Sequence, residues 1–413
     1  MSTVPEDLER APLVVEEEER PLEVTPVREP TTPGEWIRRN LFSNSVSGIV
    51  TVLGAVLLLY VGVRLLRWVF VTADWAVVKS HLRGFMIGRF PQEETWRIWV
   101  AVTFLTALVG LSWGASGLRL TWSWGKAIWR ALAGLAALGA LLYLIESARM
   151  WLALLSLAVL FAAAVAAGRT WRPVAQRVVI GGWLLSFPVV ILVLRGFGGV
   201  APLEWGGLLL NVLVAVVGIV VSFPIGIFLA LGRRSTFPAI RLVSVGVIEI
   251  VRGAPLYAWL LFGVFVLPFL LPPGLRLAEI IRVMIMFILF SSAYVAEIVR
   301  GGLQGVHQGQ YEAARALGLP TWRLMGLVVL PQALRNTIPA MISHFISLFK
   351  DTSLLAIVGF IDALRIARIA PQARFSGTLR QSLIFAALLF WIVSFSMSRW
   401  SQRLERRLGV GER

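Results

Sequence analysis

Residues 207–232 read GLLLNVLVAVVGIVVSFPIGIFLALG, a stretch without one charged side chain. A helix needs about 20 mostly apolar residues to cross ~30 Å of hydrocarbon. This stretch meets that requirement by itself, and it sets the scale for reading the rest. On the same criterion ten spans are expected, five on each side of residue 205. The first five are approximately 46–66, 98–118, 127–146, 150–168 and 178–196. The second five are approximately 207–232, 242–270, 279–299, 337–361 and 379–400. The expected fold class is an all-α integral membrane protein of about ten transmembrane helices.

Composition agrees. The chain of 413 residues is 57% hydrophobic and 15% charged, with a mean hydropathy of +0.78. A soluble domain has roughly 45–50% apolar and about 25% charged residues. The net charge is +16, yet residues 1–35 hold ten acids against three arginines. The excess of arginine therefore lies beside the apolar runs. Membrane proteins place basic residues there, whereas nucleic-acid binders cluster them on one polar face, so no nucleic-acid partner is expected. With Glu16–Glu19 and six prolines, residues 1–35 cannot bury an apolar face and are expected to be a disordered, acidic tail. There is no cysteine, and His81, His307 and His344 lie far apart, so no metal site is expected.

Orientation follows from short-loop arginines. Arg38 and Arg39 precede the first span, Arg233, Arg234 and Arg241 follow the sixth, and Arg399, Arg403, Arg406 and Arg407 follow the last. Placing these inside puts both termini and the 300–336 connection in the cytoplasm. The 67–97 loop opposes this with Arg67, Lys79, Arg83, Arg89 and Arg97, but long loops obey the rule poorly. The two halves differ in polarity. The first carries few polar groups and a Gly110-x-x-x-Gly114 pair suited to close helix packing. The second holds Pro224, Glu249, Arg252, Pro255, Glu297, Lys350 and Asp351 inside its spans. Ionisable groups in a membrane are costly and usually line a pathway or pair with each other.

The connection between spans eight and nine reads QYEAARALGLPTWRLMGLVVLP, residues 310–331. A short helix should start near Gln310, with Glu312 at the positive end of its dipole. Gly318 and Pro320 should end it, Gly in a left-handed cap and Pro because it cannot continue the helix. A second amphipathic helix should run to Pro331. At these residues the chain resembles the permeases of binding-protein-dependent ABC importers. Their cytoplasmic loop has the pattern E-A-A, three residues, G, nine residues, I, one residue, L-P. Glu312, Ala313, Ala314, Gly318, Leu330 and Pro331 match in register, with Val328 in place of the isoleucine. The resemblance implies that this loop is a coupling helix docking on an ATP-hydrolysing subunit.

Further segments resemble the polar amino-acid permeases among these importers. They are Glu249-x-x-Arg252-Gly253-Ala254-Pro255-Leu256, Ala293-Tyr294-x-x-Glu297-x-x-Arg300-Gly301-Gly302 and Lys350-Asp351-Thr352-Ser353-Leu354. The resemblance covers roughly 205–402. The five earlier spans, opening EWIRRNLF at residues 35–42, resemble the M-type subunit of general L-amino-acid importers. Expected domains are therefore the tail 1–35, a membrane extension 36–204, a permease core 205–402 with its coupling loop at 301–335, and a basic tail 403–413.

The resemblance also implies partners: an ATP-binding subunit dimer, a second homologous permease (a heterodimer), an external solute-binding protein, an amino-acid substrate and membrane lipid. ATP and Mg would sit on the partner ATPase, with no cofactor on this chain. No Walker A sequence is present, since Gly125-Lys126 is followed by Ala127 and Leu120 stands in the place of the first glycine. The implied location is the bacterial cytoplasmic membrane. The competing readings are a permease for another small solute or a passive channel, which would need no ATPase contact. A membrane enzyme is disfavoured, because no catalytic cluster appears.

Among candidate residues, Glu249 with Arg252 and Glu297 with Arg300 lie three apart on their helices and are expected to form two structural ion pairs. Lys350 and Asp351 are adjacent and so do not face each other. Asp351, Thr352 and Ser353 offer an acceptor and hydroxyls suited to an amino acid, with Lys350 beside them. A substrate path and a packing or inter-subunit role both remain open for these four. Residues 1–205 are expected to be an accessory extension.

Overall fold

The computed structural model describes residues 32–116, 148–372 and 375–408. Those residues form two compact units, one ending at Ala73 and one running from Asp74.

The first unit holds α1 (Pro33–Leu41) and α2 (Ser45–Arg67), the latter prolonged by a π turn at Trp68–Thr72. Thr32 and Glu35 form a reciprocal capping box at the start of α1, each side chain accepting from the other's backbone N–H. Asn44 caps α2 by accepting from the N–H of Ser47 at 2.7 Å. The Leu41 carbonyl, left over at the end of α1, accepts from Ser47 Oγ and Thr51 Oγ1 at 3.1 and 2.8 Å.

The second unit contains α3 (Ala76–Ile87), α4 (Thr95–Ala115), α5 (Ala148–Thr170), α6 (Arg172–Arg195) and α7 (Gly207–Arg233). It continues with α8 (Pro238–Gly253), α9 (Leu256–Leu270, with a π turn at Phe262–Val266), α10 (Glu279–Gln304) and α11 (Gln308–Ala316). The last elements are α12 (Leu330–Asp351), α13 (Ala363–Ile369) and α14 (Leu379–Leu408). Glycines set the closest approaches. A Cβ on Gly114 would fall on the carbonyl oxygen of Val165, and one on Gly110 would lie 2.7 Å from Cβ of Ala164, so α4 and α5 touch backbone to backbone. This is the close packing expected of the Gly110/Gly114 pair. Most of α10 is buried, because α7 and α12 lie against two of its sides. Gly226 of α7 sits against Val295 and Gly302 of α10 against Thr337 and Ala333.

Six helices among the described residues are long and apolar enough to cross a membrane: Ser45–Thr72, Thr95–Ala115, Met150–Thr170, Gly207–Arg233, Glu279–Gln304 and Leu379–Arg406. Two bent pairs, Arg172–Trp183 with Pro188–Arg195 and Pro238–Gly253 with Leu256–Leu270, raise the number to eight if each is one span. The expected span 127–146 lies outside the described residues. The expected span 337–361 differs in kind. The helix there is Leu330–Asp351, which carries Arg335, Asn336, His344 and Lys350, and a 3₁₀ turn, Thr352–Ala356, follows it. Pro255 bends its span by 103°, with Ala254 and Pro255 both extended where a proline ring excludes the helical carbonyl bond. Arg282 donates through Nη1 to the carbonyls of Gly263 (3.1 Å) and Val264 (2.5 Å), two carbonyls of the π turn below that bend.

The stretch 67–97 is not an open loop. Within it α3 buries Val77, Val78 and Phe85 against α13 and α14, with Phe85 edge-on to Phe385 at 4.9 Å between ring centroids. Phe90 is fully buried in the main core beside Leu210 and Leu213 of α7.

Candidate functional site

The loop between α10 and α12 is built around one glycine. His307 caps α11, its Nδ1 accepting from the N–H of Gly309 at 3.1 Å. At the other end Gly318 takes φ +71°, and nothing lies within 4 Å of where its Cβ would be. Its N–H donates to the Arg315 carbonyl (2.9 Å) and that of Leu319 to the Ala314 carbonyl (3.1 Å). These are the two bonds of a Schellman cap, so the requirement for glycine is conformational and not steric. Beyond Pro320 the chain turns through Thr321–Arg323 into a π turn, Leu324–Val329, that runs directly into α12. The second loop helix expected to end at Pro331 therefore does not end there. Pro331 stands where the π turn passes into α12, one residue beyond Leu330, whose N–H still donates to the Met325 carbonyl of that turn.

One side of this loop is anchored. Tyr311 and Ala314 are buried with Leu324, Val329, Leu303 and Val306, and Tyr311 donates its hydroxyl to the Leu303 carbonyl at 3.1 Å. Arg234, just past α7, donates to the same hydroxyl at 3.3 Å. Other residues of the loop are open to solvent. Glu312, Ala313, Gly318 and Pro331 are exposed, and so are Leu317, Trp322 and Leu327 at 80%, 69% and 70%. Sequence reading singled out the first group and missed the three large apolar side chains. Ala314, read with Glu312 and Ala313 as one motif, faces inward.

A charged cluster adjoins this end of the core. Arg233 at the end of α7 donates through Nη1 to Glu249 and to Glu297, each at 2.8 Å. Arg300 bonds Glu297 at 2.9 Å, as its (i, i+3) spacing predicts. Arg252 pairs with Glu297 at 3.8 Å instead of with Glu249, a correction to the two separate pairs expected. The cause is Arg233: its guanidinium takes Glu249 and ties α7, α8 and α10 together. The Arg252 guanidinium also lies 5.5 Å from the centroid of the Tyr294 ring. Tyr294 stacks on His344 of α12 at 5.6 Å, and His344 Nε2 lies 3.0 Å from Ser291 Oγ, which lies 2.8 Å from Ser222 Oγ. A line of polar contacts thus crosses α7, α10 and α12.

At the opposite end of α7, roughly 33 Å away by helix rise, Asn211 holds a clasp through its neutral amide. Its Nδ2 donates at 3.1 Å to the carbonyl and Oγ1 of Thr352 and to Oδ2 of Asp362. Its Oδ1 accepts from the N–H of Ala363 at 3.2 Å. Asn211, Thr352 and Asp362 are all fully buried. Asp362 also caps α13 through the N–H of Arg365 at 2.8 Å. Burial pushes its carboxyl up to about 6, against the opposing pull of these hydrogen bonds and of the Arg368 charge. Of the four candidate substrate-path residues, Thr352 is thus turned inward into the clasp. Lys350 is exposed, and Asp351 and Ser353 are half-buried. Asp351 closes α12 and does not sit mid-helix. Among the described residues no group of three or more metal-binding side chains occurs.

Residues 222–410 match the family model described as binding-protein-dependent transport system inner membrane component. The chain is 34% identical to the inner membrane amino-acid ABC transporter permease protein YhdY of Escherichia coli (strain K12), over 91% of this chain and 93% of that one. The chain belongs to this permease family. It is also 35% identical, over the same shares, to the glutamate/glutamine/aspartate/asparagine transport system permease protein BztC of Rhodobacter capsulatus. Among solved structures, an amino acid ABC transporter crystallised with histidines shares 31% identity, covering 48% of this chain and 90% of that chain, with a TM-score of 0.44.

Proposed function

We propose that this chain is a membrane subunit of an ATP-driven amino-acid importer of the bacterial inner membrane, with acidic amino acids and their amides as the substrate class. The likeness to two amino-acid permeases along almost the whole chain carries this reading. The exposed residues of the Gln308–Val329 loop support the partner assignment. A Schellman corner fixes its shape, and Leu317, Trp322 and Leu327 offer the apolar anchors that a protein groove would bury. Glu312, Ala313, Ala314, Gly318 and Pro331 shape the docking element; the ATPase chain supplies ATP, Mg and hydrolysis. In this reading the loop and both termini are cytoplasmic, a second permease completes the pathway as a heterodimer, and an external solute-binding protein delivers substrate. Residues 205–402 form the permease core.

Purification of the complex from its native membrane and reconstitution with the solute-binding protein tests this. ATP-dependent uptake of labelled glutamate, glutamine, aspartate or asparagine is the expected result. An assembled complex that hydrolyses ATP yet accumulates none of the four would overturn the substrate class. Isolation without an ATPase chain would overturn the importer itself.

A further inference from the structure

Three backbone segments meet at the Asn211 end of α7 with no side chain between them. Gly88, just past α3, takes φ +63°, and a Cβ on it would fall on Cα of Gly206 and 2.7 Å from its carbonyl carbon. Gly207 takes φ +57°, and a Cβ there would lie 2.6 Å from the carbonyl oxygens of both Gly84 and Phe85. A Cβ on Gly206 would lie 2.6 Å from the Ile361 carbonyl oxygen and 2.8 Å from Cα of Gly88. Gly207 in turn donates its N–H to that Ile361 carbonyl at 2.8 Å and is bridged in parallel to Asp362. The end of α3, the start of α7 and the strand of chain entering α13 are therefore one contact, four residues from Asn211.

Both flanks of this contact are held. Arg83 donates to the Phe90 carbonyl at 2.6 Å, and Phe90 is buried in the main core. On the other flank Phe85 and Val78 lie with Ile366, Ala367 and Phe385. The Asn211 clasp then connects the contact to Thr352, the first residue of the 3₁₀ turn that follows Asp351.

We propose that residues 76–90, although they lie in the N-terminal extension, are a working element of the transport core, and that Gly88 is a positioning residue for the Thr352–Asp362 segment. Gly88 acts by allowing α3 to seat against Gly206 and Gly207, which fixes the loop that Asn211 clasps. The part of this inference that concerns transport rests on the importer reading; the positional part does not.

The absence of cysteine allows a direct test, because any introduced thiol is unique. Ala356 is buried in the 3₁₀ turn, and its backbone carbonyl accepts from Arg365. Ala239 is exposed at the start of α8, at the other end of the core and outside the docking loop. In the full complex, Ala356→Cys should resist a water-soluble maleimide, and adding Gly88→Val should raise its labelling rate at least tenfold. Ala239→Cys should stay within twofold. Protection of Ala356→Cys that survives Gly88→Val overturns the proposal. So does an equal rise at both thiols, which would mean a fold-wide effect. Should Gly88→Val fail to accumulate, Gly88→Ala meets the same obstruction with less bulk, and the same two rates decide. Uptake by the Gly88 variant should fall at least fivefold with ATP hydrolysis retained. A parent complex that transports none of the four amino acids refutes the importer reading, while the thiol rates still score the positioning.

Discussion

The two ends of α7 solve the same problem by opposite means. At Arg233 three helices are joined by five charged groups that share carboxylates; at Asn211 three segments are joined by one neutral amide and backbone contacts between glycines. Glu249 remains half-exposed, and the arginines are about a third exposed, so water screens the first cluster and lets partners be exchanged. The second is dry, where an unpaired group is costly and each bond has one geometry. Adaptable contacts stand beside the loop that is proposed to receive a moving partner. The rigid contact stands where the chain must hold its own ends together.

The contrast breaks most severely at Asn211. Asn211→Ala would leave Asp362, Thr352 and the Ala363 N–H without their partner in a dry site. A loss on the order of 3–5 kcal/mol is expected, read as a large fall in thermal unfolding temperature in detergent or as failure to accumulate. A loss below 1 kcal/mol would mean that the clasp is not what holds this end.

Next in size is a pH effect confined to the same end. The Asp362 carboxyl titrates near 6 when folded and near 3.8 when unfolded, so the folded chain holds the proton more tightly. Its stabilising contribution is complete below about pH 4 and lost as pH rises through 6, a difference on the order of 3 kcal/mol. Unfolding temperatures measured from pH 5 to pH 7.5 should fall, and Asp362→Asn should flatten the slope. An equal slope in the variant would place the titrating group elsewhere.

At the charged end, Glu297→Gln removes the negative charge shared by Arg233, Arg252 and Arg300, replaces one acceptor oxygen by a donor, and should cost about 1.5–3 kcal/mol. Glu249→Gln should cost less than about 1 kcal/mol. Only the second effect should vanish in 0.5 M salt. Equal costs for the two would undo the picture of Glu297 as the hub.

The smallest change in stability is expected at Gly318. With open space around it, Gly318→Ala strains only the left-handed φ, at about 1 kcal/mol. The functional effect should exceed that figure, since the Schellman corner fixes how Leu317 and Trp322 are presented. Substrate-stimulated ATP hydrolysis in the reconstituted complex should drop severalfold, and an unchanged rate would remove the corner from coupling.

Local chemistry made part of this legible in advance. The charge-free run before Gly232, the cap at Gly318 and the Glu297–Arg300 pair each depend on residues within a few positions of one another. The clasp does not. Asn211 was visible as a lone amide in an apolar span, but its partners lie 141 to 152 residues away, and no periodicity points to them. Arg233 was visible only as a basic loop residue, so the sharing of Glu297 was hidden. The seating of α3 was hidden for the same reason: Gly88 has meaning only beside Gly206.

The π turn at Leu324–Val329 carries one residue more than an α turn would use, and α12 follows it without a break. Such a turn is an insertion that the helix absorbed. Deleting a single residue there would not sever the connection; it would let the turn relax to α and rotate everything beyond it by about 100° relative to the loop. Relatives that differ by one residue at this place would thus present a different stripe of α12 to α10 while keeping the same loop, a way to alter the lining of a pathway without changing any residue in it.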